Sequence, residues 1–198
     1  MVHTAMLLLE EAGRQASRAL TPREQSSLSR LGQRRHPSWL ATRGIIKLLA
    51  AHTEPLVPPA FVETQRAGHP RPLCLLPDGR SLPVSVAHDD AFVIGVIGEP
   101  GITLGVDIEP VDARASRVIG RYYPAWPSDP RSSTRLWSAL ESAVKCTGLG
   151  LHEVLGKAQP KAHGPDWIQL DLPGGLSLSA SQKAYKNRIV TTIISIRT

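Results

Sequence analysis

The chain has 198 residues, of which 41% are hydrophobic and 20% charged, so it can bury a core as one large domain or two small ones. Its apolar runs are shorter than the roughly 20 residues that a membrane helix needs, and the longest, from 91 to 98, is typical of a buried strand. The apolar stretch at 6–9 lacks the basic start and the cleavage site of a secretion signal. We therefore expect a cytoplasmic protein that has no membrane partner.

The net charge of +6 is concentrated in residues 1–80, which hold 11 Lys and Arg against 6 Asp and Glu. Such a surface attracts nucleic acid, an acidic protein or a phosphorylated small molecule, and charge alone does not choose among them. The two cysteines, Cys74 and Cys146, have neither metal-ligand nor redox spacing. They are expected to be buried thiols without a chemical role.

Two helices are predicted near the start of the chain. Thr21-Pro22-Arg23-Glu24 has the pattern of a capping box with proline in the first turn, which predicts a helix over about 21–31. A second helix is predicted after Pro37. On it Arg43 and Lys47 lie four residues apart, so we expect them to form a cationic ridge that can hold a phosphate.

A proline-rich connection over 55–72 is followed by three runs with the pattern of an antiparallel meander, at 82–87, 91–98 and 102–109. A helix over about 134–147, ended by a glycine, precedes weaker strand signals at 167–172, 176–180 and 189–196. The class predicted is α+β, with two similar halves that each pack a helix on a small antiparallel sheet. The predicted division is an N-terminal extension (1–20), a first half (21–115) and a second half (116–198).

The strand at 102–109 carries the first chemical signal. Its residues alternate, so that Asp107 and Glu109 point to the same face as Gly105. Two adjacent carboxylates repel each other unless a cation joins them, and hard oxygen ligands suit Mg²⁺. A pair of solvated acids at a strand end is the alternative.

A second signal lies on the later helix, where Glu141 and Lys145 are four residues apart and Trp137 is one turn before Glu141. Alone, this pattern is typical of a surface ion pair. His88 closes the strand at 84–87, and a single histidine at a strand end is more often structural than functional.

Three motifs resemble, in order and spacing, the larger, pseudo-dimeric branch of the 4′-phosphopantetheinyl transferases: Ser85-Val86-Ala87-His88, Gly105-Val106-Asp107-Ile108-Glu109 with Arg114 five residues on, and Trp137-Ser138-x-x-Glu141-x-x-x-Lys145. Two upstream segments resemble the family's early helix and its basic-proline step: Arg34-Arg35 followed by Trp39-Leu40-x-x-Arg43-x-x-x-Lys47-Leu48-Leu49, and Arg71-Pro72. The resemblance covers about residues 21–148.

The resemblance implies that Asp107, Glu109 and Glu141 hold a Mg²⁺ ion, with Mn²⁺ as the alternative, and that this ion also touches the pyrophosphate of coenzyme A. It implies three catalytic residues, Asp107, Glu141 and Lys145. Glu141 would take the proton of the attacking serine, directly or through a water, and Lys145 would balance charge on the departing 3′,5′-ADP.

For the co-substrate coenzyme A, the resemblance implies that His88 and Lys145 contact the phosphates and that Arg43 and Arg71 lie near the 3′-phosphate and adenine. The reaction implied is transfer of phosphopantetheine to a serine of an acyl or peptidyl carrier protein, in polyketide or nonribosomal peptide biosynthesis. The protein would act as a monomer or as a domain of a larger synthase, without a nucleic-acid partner.

The chain departs from the family pattern at three positions. Leu140 stands where a lysine is common in the family, so we expect Leu140→Lys to raise turnover. Ala87 stands where the family commonly has a serine, and Asp89 places a negative charge near the expected pyrophosphate site. Two other functions remain open: a metal-dependent nuclease or phosphodiesterase, and a catalytically decayed module that only binds carrier protein or coenzyme A.

Overall fold

Two units of nearly equal length make up the fold, Met1–Ile102 and Thr103–Thr198. The computed structural model describes residues 1–65 and 72–196, with the side chains of 65 and 196 excepted. None of the helices in these ranges combines the length and apolarity that a membrane span requires.

The first unit begins with a strand, continues with three α-helices and ends with four strands. Its elements are β1 (Val2–Leu8), α1 (Leu9–Ser17), α2 (Pro22–Ser29), α3 (His36–Thr53), β2 (Glu63–Gln65), β3 (Leu73–Leu75), β4 (Ser81–His88) and β5 (Phe92–Gly98). Short 3₁₀ turns cover Gln33–Arg35 and Pro59–Phe61. The sheet has the order β1-β5-β4-β3-β2, and its neighbouring strands are antiparallel.

The second unit repeats this order of elements. It consists of β6 (Ile102–Pro110), α4 (Ala113–Tyr122), α5 (Pro130–Thr147), α6 (Leu151–Val154), β7 (Gln159–His163), β8 (Trp167–Asp171), β9 (Ser177–Tyr185) and β10 (Arg188–Ile196). Its sheet has the order β6-β10-β9-β8-β7, which is the strand order of the first sheet. The predicted α+β class with two antiparallel sheets is therefore confirmed, and in both units the first strand pairs with the last.

Each sheet packs one face against a long helix of its own unit. In the first unit Ile45 and Leu49 of α3 are buried in a cluster with Val84 and Ile97 of the sheet. In the second, the buried face of α5 packs in a cluster with sheet residues. Burying a large aliphatic side chain contributes about 1.5–3 kcal/mol, so these faces fix both helices on their sheets.

The structure differs from the predicted division at two points. Residues 1–20 form β1, which pairs with β5 along its whole length, and α1, which packs against α3 so closely that a Cβ on Gly44 would lie 2.0 Å from the Ala12 carbonyl oxygen. The predicted boundary at 115/116 also lies after β6, although this strand completes the second sheet. The N-terminal segment is thus part of the first unit, and the boundary lies at 102/103.

Two helix ends follow the local signals in the sequence. The Thr21 hydroxyl accepts a hydrogen bond from Glu24 N at 3.2 Å, and the Glu24 carboxylate accepts one from Thr21 N at 3.1 Å, which completes the predicted capping box of α2. Gly148 ends α5 with φ +81°, in the left-handed region that glycine adopts at low cost.

Candidate functional site

The helix α5 lies directly on β6 at Gly105. A Cβ at this position would be 1.9 Å from the Ser142 carbonyl oxygen, so only glycine lets the two backbones come so close. Thr103 lies two residues before Gly105, on the same face of the strand, and its hydroxyl is 3.4 Å from the Cys146 sulfur. Because alternate residues share a face, Asp107 points toward the α5 side of β6.

Lys145 joins the helix to the strand at this point. Its Nζ donates to Asp107 Oδ1 at 2.8 Å and to the Val106 carbonyl oxygen at 3.1 Å. The local spacing suggested Glu141 as the partner of this lysine, but the structure pairs it with a carboxylate 38 residues away. An ammonium has three N–H donors, and the described residues accept from two of those of Lys145, which leaves the third for a ligand.

The second carboxylate oxygen of Asp107 is unusual. Asp107 is 4% exposed, and its Oδ2 is buried without a hydrogen-bond partner within the described residues. Burying a polar atom without a partner costs about 1–3 kcal/mol, and more for a charged group, so such an atom in a folded protein calls for an explanation. A cation bound at Oδ2 would supply the missing partner.

Two further carboxylates lie within electrostatic reach. Burial first, and then the charge of Asp107, raises the pKa of Glu109 to about 7, although Glu109 accepts a hydrogen bond from Trp137 Nε1 at 3.3 Å. Burial and the charge of Asp107 also raise the pKa of Glu141, while Lys145 opposes this shift. A cation bound near Glu109 and Glu141 would therefore favour their charged forms.

This donor set fits a hard divalent cation by its chemistry, since Mg²⁺ is bound through carboxylate oxygens and retains waters and substrate phosphates as further ligands. Asp107 offers a buried oxygen that lacks a partner, and Glu109 and Glu141 offer carboxylates that burial makes costly to ionise alone. No three His, Cys, Asp or Glu side chains in residues 1–65 and 72–196 are already grouped to hold a metal ion. The metal site therefore stays a prediction.

Of the four residues predicted to contact coenzyme A, Lys145 has been described above, and Arg43 and His88 lie in the first unit. Arg43 is half-buried, with its guanidinium 3.9 Å from the centre of the Trp39 ring, an arrangement that holds the cation in one orientation. His88 is exposed at the end of β4. Arg71 lies outside the described residues. Their predicted roles are untested by these positions.

Lys47 does not form the expected phosphate-binding ridge with Arg43. Its side chain is 3% exposed and its Nζ lies 2.9 Å from the Glu24 carboxylate, whose side chain is 5% exposed. It also donates to the carbonyl oxygens of Pro59 and Val62. All three donors are thus used inside the protein, and Lys47 ties α3 to α2 and to the segment that precedes β2.

The departures from the family pattern have structural explanations at two positions. Leu140 is fully buried in the core of the second unit, so the expectation that a lysine there would raise turnover does not fit the structure, which has no room for a charge at this position. Asp89 accepts hydrogen bonds from Ala91 N at 2.8 Å and Phe92 N at 2.7 Å, which shape the turn between β4 and β5.

A buried polar network that the sequence did not reveal fixes α5 on the sheet. The Ser138 hydroxyl donates to Thr191 Oγ1 at 2.8 Å, Gln182 Nε2 donates to the same atom at 2.9 Å, and the Ser142 hydroxyl donates to the Thr191 carbonyl oxygen at 3.3 Å. Serines 138 and 142 are four residues apart, which is the signal that was available, but their partners lie about 50 residues later. The network sets the rotation of α5 and thereby the height of Glu141 and Lys145 above β6.

No protein-family model matches this chain, and no curated protein matches it in sequence. Function must therefore be inferred from the chain's own motifs and from the contacts among Asp107, Glu109, Glu141 and Lys145.

Proposed function

We propose that this chain is a Mg²⁺-dependent 4′-phosphopantetheinyl transferase, which moves the phosphopantetheine arm of coenzyme A to a serine of an acyl or peptidyl carrier protein. The observation that carries the proposal is the contact between Lys145 and a buried Asp107 whose second oxygen has no hydrogen-bond partner, beside Glu109 and Glu141. These are the four residues to which the family resemblance assigns the metal and the leaving group.

The reaction joins the serine oxygen to the β-phosphorus of coenzyme A and breaks the bond from that phosphorus to the oxygen of 3′,5′-ADP. Asp107, Glu109 and Glu141 would hold Mg²⁺, which supplies stabilisation of negative charge on the phosphate oxygens. The raised pKa of Glu141 makes its carboxylate a stronger base, which suits a group that accepts the serine proton. The remaining N–H of Lys145 can donate to the leaving phosphate, which gains charge as the bond breaks.

We propose further that the two units are the halves of a pseudo-dimer. Their shared order of elements and their identical strand order support this proposal. Only the second unit carries the acidic set, on its first strand and its longest helix. A cytoplasmic location, either as a monomer or within a larger synthase, follows from the proposed reaction because coenzyme A is its co-substrate.

The test is the intact mass of several apo carrier proteins after incubation with this protein, coenzyme A and Mg²⁺. We expect the mass of the added arm on the carrier, its loss when EDTA replaces Mg²⁺, and its return when Mg²⁺ is restored. Glu141→Gln should slow transfer by about 100-fold or more, since a general base contributes roughly 10²–10⁴-fold. Glu153→Gln is the matched control, because this glutamate only caps α6 through Gly150 N.

Transfer at the wild-type rate by Glu141→Gln would remove that residue from the chemistry. An unmodified carrier in every reaction would overturn the proposal itself. Metal-dependent cleavage of DNA or of a phosphodiester in the same buffer would favour the nuclease, and carrier binding without transfer would favour the decayed module.

A further inference from the structure

In the first unit, β1 and α3 each carry a histidine where they pack against each other. His3 shares a face of β1 with Ala5 and Leu7, because alternate residues of a strand point the same way, and these two residues pack against the core cluster. His52 lies three residues after the buried Leu49, so it is one turn further along the core-facing side of α3. The apolar contact between the strand and the helix therefore ends in two imidazoles.

These two rings are in contact with each other. Their centres are 5.0 Å apart and their planes are inclined by 76°. His3 is half-buried and His52 is exposed, so ions in the solvent can reach the pair. Among the described residues, none of the ion pairs involves either ring. No carboxylate of these residues therefore holds the pair.

The separation of the rings is the one that a shared metal ion requires. Zn–N bonds are about 2.0–2.1 Å long, so two imidazoles bound to one tetrahedral Zn²⁺ ion have their ring centres about 5 Å apart. Imidazole suits Zn²⁺, Ni²⁺ and Cu²⁺, whereas Mg²⁺ prefers oxygen ligands. The chemistry of the histidine pair therefore differs from that of the carboxylates around Asp107.

We propose that His3 and His52 form a binding site for Zn²⁺ or a similar divalent ion that prefers nitrogen ligands, independently of the proposed transfer reaction. One neutral imidazole nitrogen of each ring would bind the ion, and water would fill the remaining positions. The rings need only turn about their Cβ–Cγ bonds, for which histidine has broad minima, because their separation is already suitable.

Two protein ligands make an open site, in contrast to the four that close a structural zinc site. The bound ion would join β1 to the last turn of α3. It would thus hold the first strand on its unit in addition to the pairing of β1 with β5.

Isothermal titration calorimetry with ZnCl₂ tests the site on the full chain. The buffer contains excess Mg²⁺, which competes for the carboxylates but not for imidazole. We expect wild type to bind a Zn²⁺ ion whose affinity falls by about 10–100-fold in His3→Gln and in His52→Gln, since even the loss of a hydrogen-bond partner of a metal ligand has an effect of this size. His52 is exposed, so His52→Gln keeps the test decisive if His3→Gln does not fold.

The matched control is His152→Gln/His163→Gln, which removes two exposed histidines of the second unit. A second readout is the ring-proton NMR signals, of which those of His3 and His52 should shift when Zn²⁺ is added and those of His152 and His163 should not.

Three results would overturn the proposed site: no Zn²⁺ binding by wild type, wild-type affinity in His52→Gln, or an equal loss of affinity in the control. Loss in His3→Gln with wild-type affinity in His52→Gln would assign the ion to His3 without its partner.

Discussion

Gly105→Ala should loosen the site by separating α5 from β6. The added Cβ would lie 1.9 Å from the Ser142 carbonyl oxygen, 2.8 Å from its carbon and 3.0 Å from the Cys146 Cβ. Two of these three atoms are backbone, so rotamer changes cannot relieve the overlap, and the helix must move by about 1 Å to restore ordinary contact. We expect a loss of about 3 kcal/mol of unfolding free energy, at the upper end of the range for overpacking.

Urea denaturation followed by tryptophan fluorescence measures this loss, because Trp126, Trp137 and Trp167 all belong to the second unit. At roughly 2–4 °C per kcal/mol the melting temperature should fall by about 6–12 °C. Transfer activity should fall as well, since Lys145 and Glu141 move with the helix.

Gly120→Ala provides the control for Gly105→Ala. It lies on the exposed side of α4 with nothing within 4 Å of an added Cβ, so it should stabilise the protein by up to about 1 kcal/mol. If Gly105→Ala unfolds at the same urea concentration as wild type, the close contact of α5 with β6 is refuted.

Three further predictions concern buried charges. Lys145→Met should lower the free energy of unfolding in urea melts by about 2–3 kcal/mol. This loss is smaller than the loss from breaking a fully buried ion pair, because the Lys145 side chain is 29% exposed. Added Mg²⁺ should raise the stability of this variant more than that of wild type. The raised pKa of Glu109 means that, between about pH 4.5 and 7, the folded, metal-free protein holds a proton that the unfolded chain releases. The free energy of unfolding should therefore fall as the pH rises through this range. Glu109→Gln should flatten part of this slope, and an unchanged slope would contradict the raised pKa of Glu109. Lys47→Met should lower the free energy of unfolding by about 3–5 kcal/mol, because it leaves the buried Glu24 carboxylate without its partner. The double variant Lys47→Met/Glu24→Gln should lose clearly less. If Lys47→Met is as stable as wild type but binds coenzyme A more weakly, Lys47 has the phosphate-binding role that the sequence predicted.

The sequence predicted those elements whose signals are local. The capping box at Thr21, the apolar run of β5 and the glycine after α5 each reside within a few neighbouring residues, and the structure confirms all three. The strand β1 has no such signal, because its stability comes from pairing with β5, where Val2 lies opposite Gly98. An edge strand of this kind can be predicted from the sequence only when the strand that it pairs with is also known.

The same limit applies to the charged residues of the candidate site. Alternation along β6 predicted that Asp107 shares a face with Gly105, and the structure shows that α5 covers this face. Helical spacing put Lys145 and Glu141 on one ridge. Spacing could not reveal that the partner of Lys145 is a carboxylate on the strand, nor that Lys47 is buried against Glu24, because both pairs join separate elements. Leu140 was misread for the same reason, since only the packed sheet shows which side of α5 is core.

The pairing of the first strand with the last has a kinetic consequence. Thr103 on β6 donates from its hydroxyl to the Ser195 carbonyl oxygen on β10, so about 90 residues separate the two ends of this contact. Closing a loop of that length carries an entropic cost of roughly 4 kcal/mol, which is met only after the intervening strands have formed. Contacts of high sequence separation slow folding, and β6 is the strand that bears Asp107. During synthesis β6 must therefore wait until β10 has been made before its sheet can close around it.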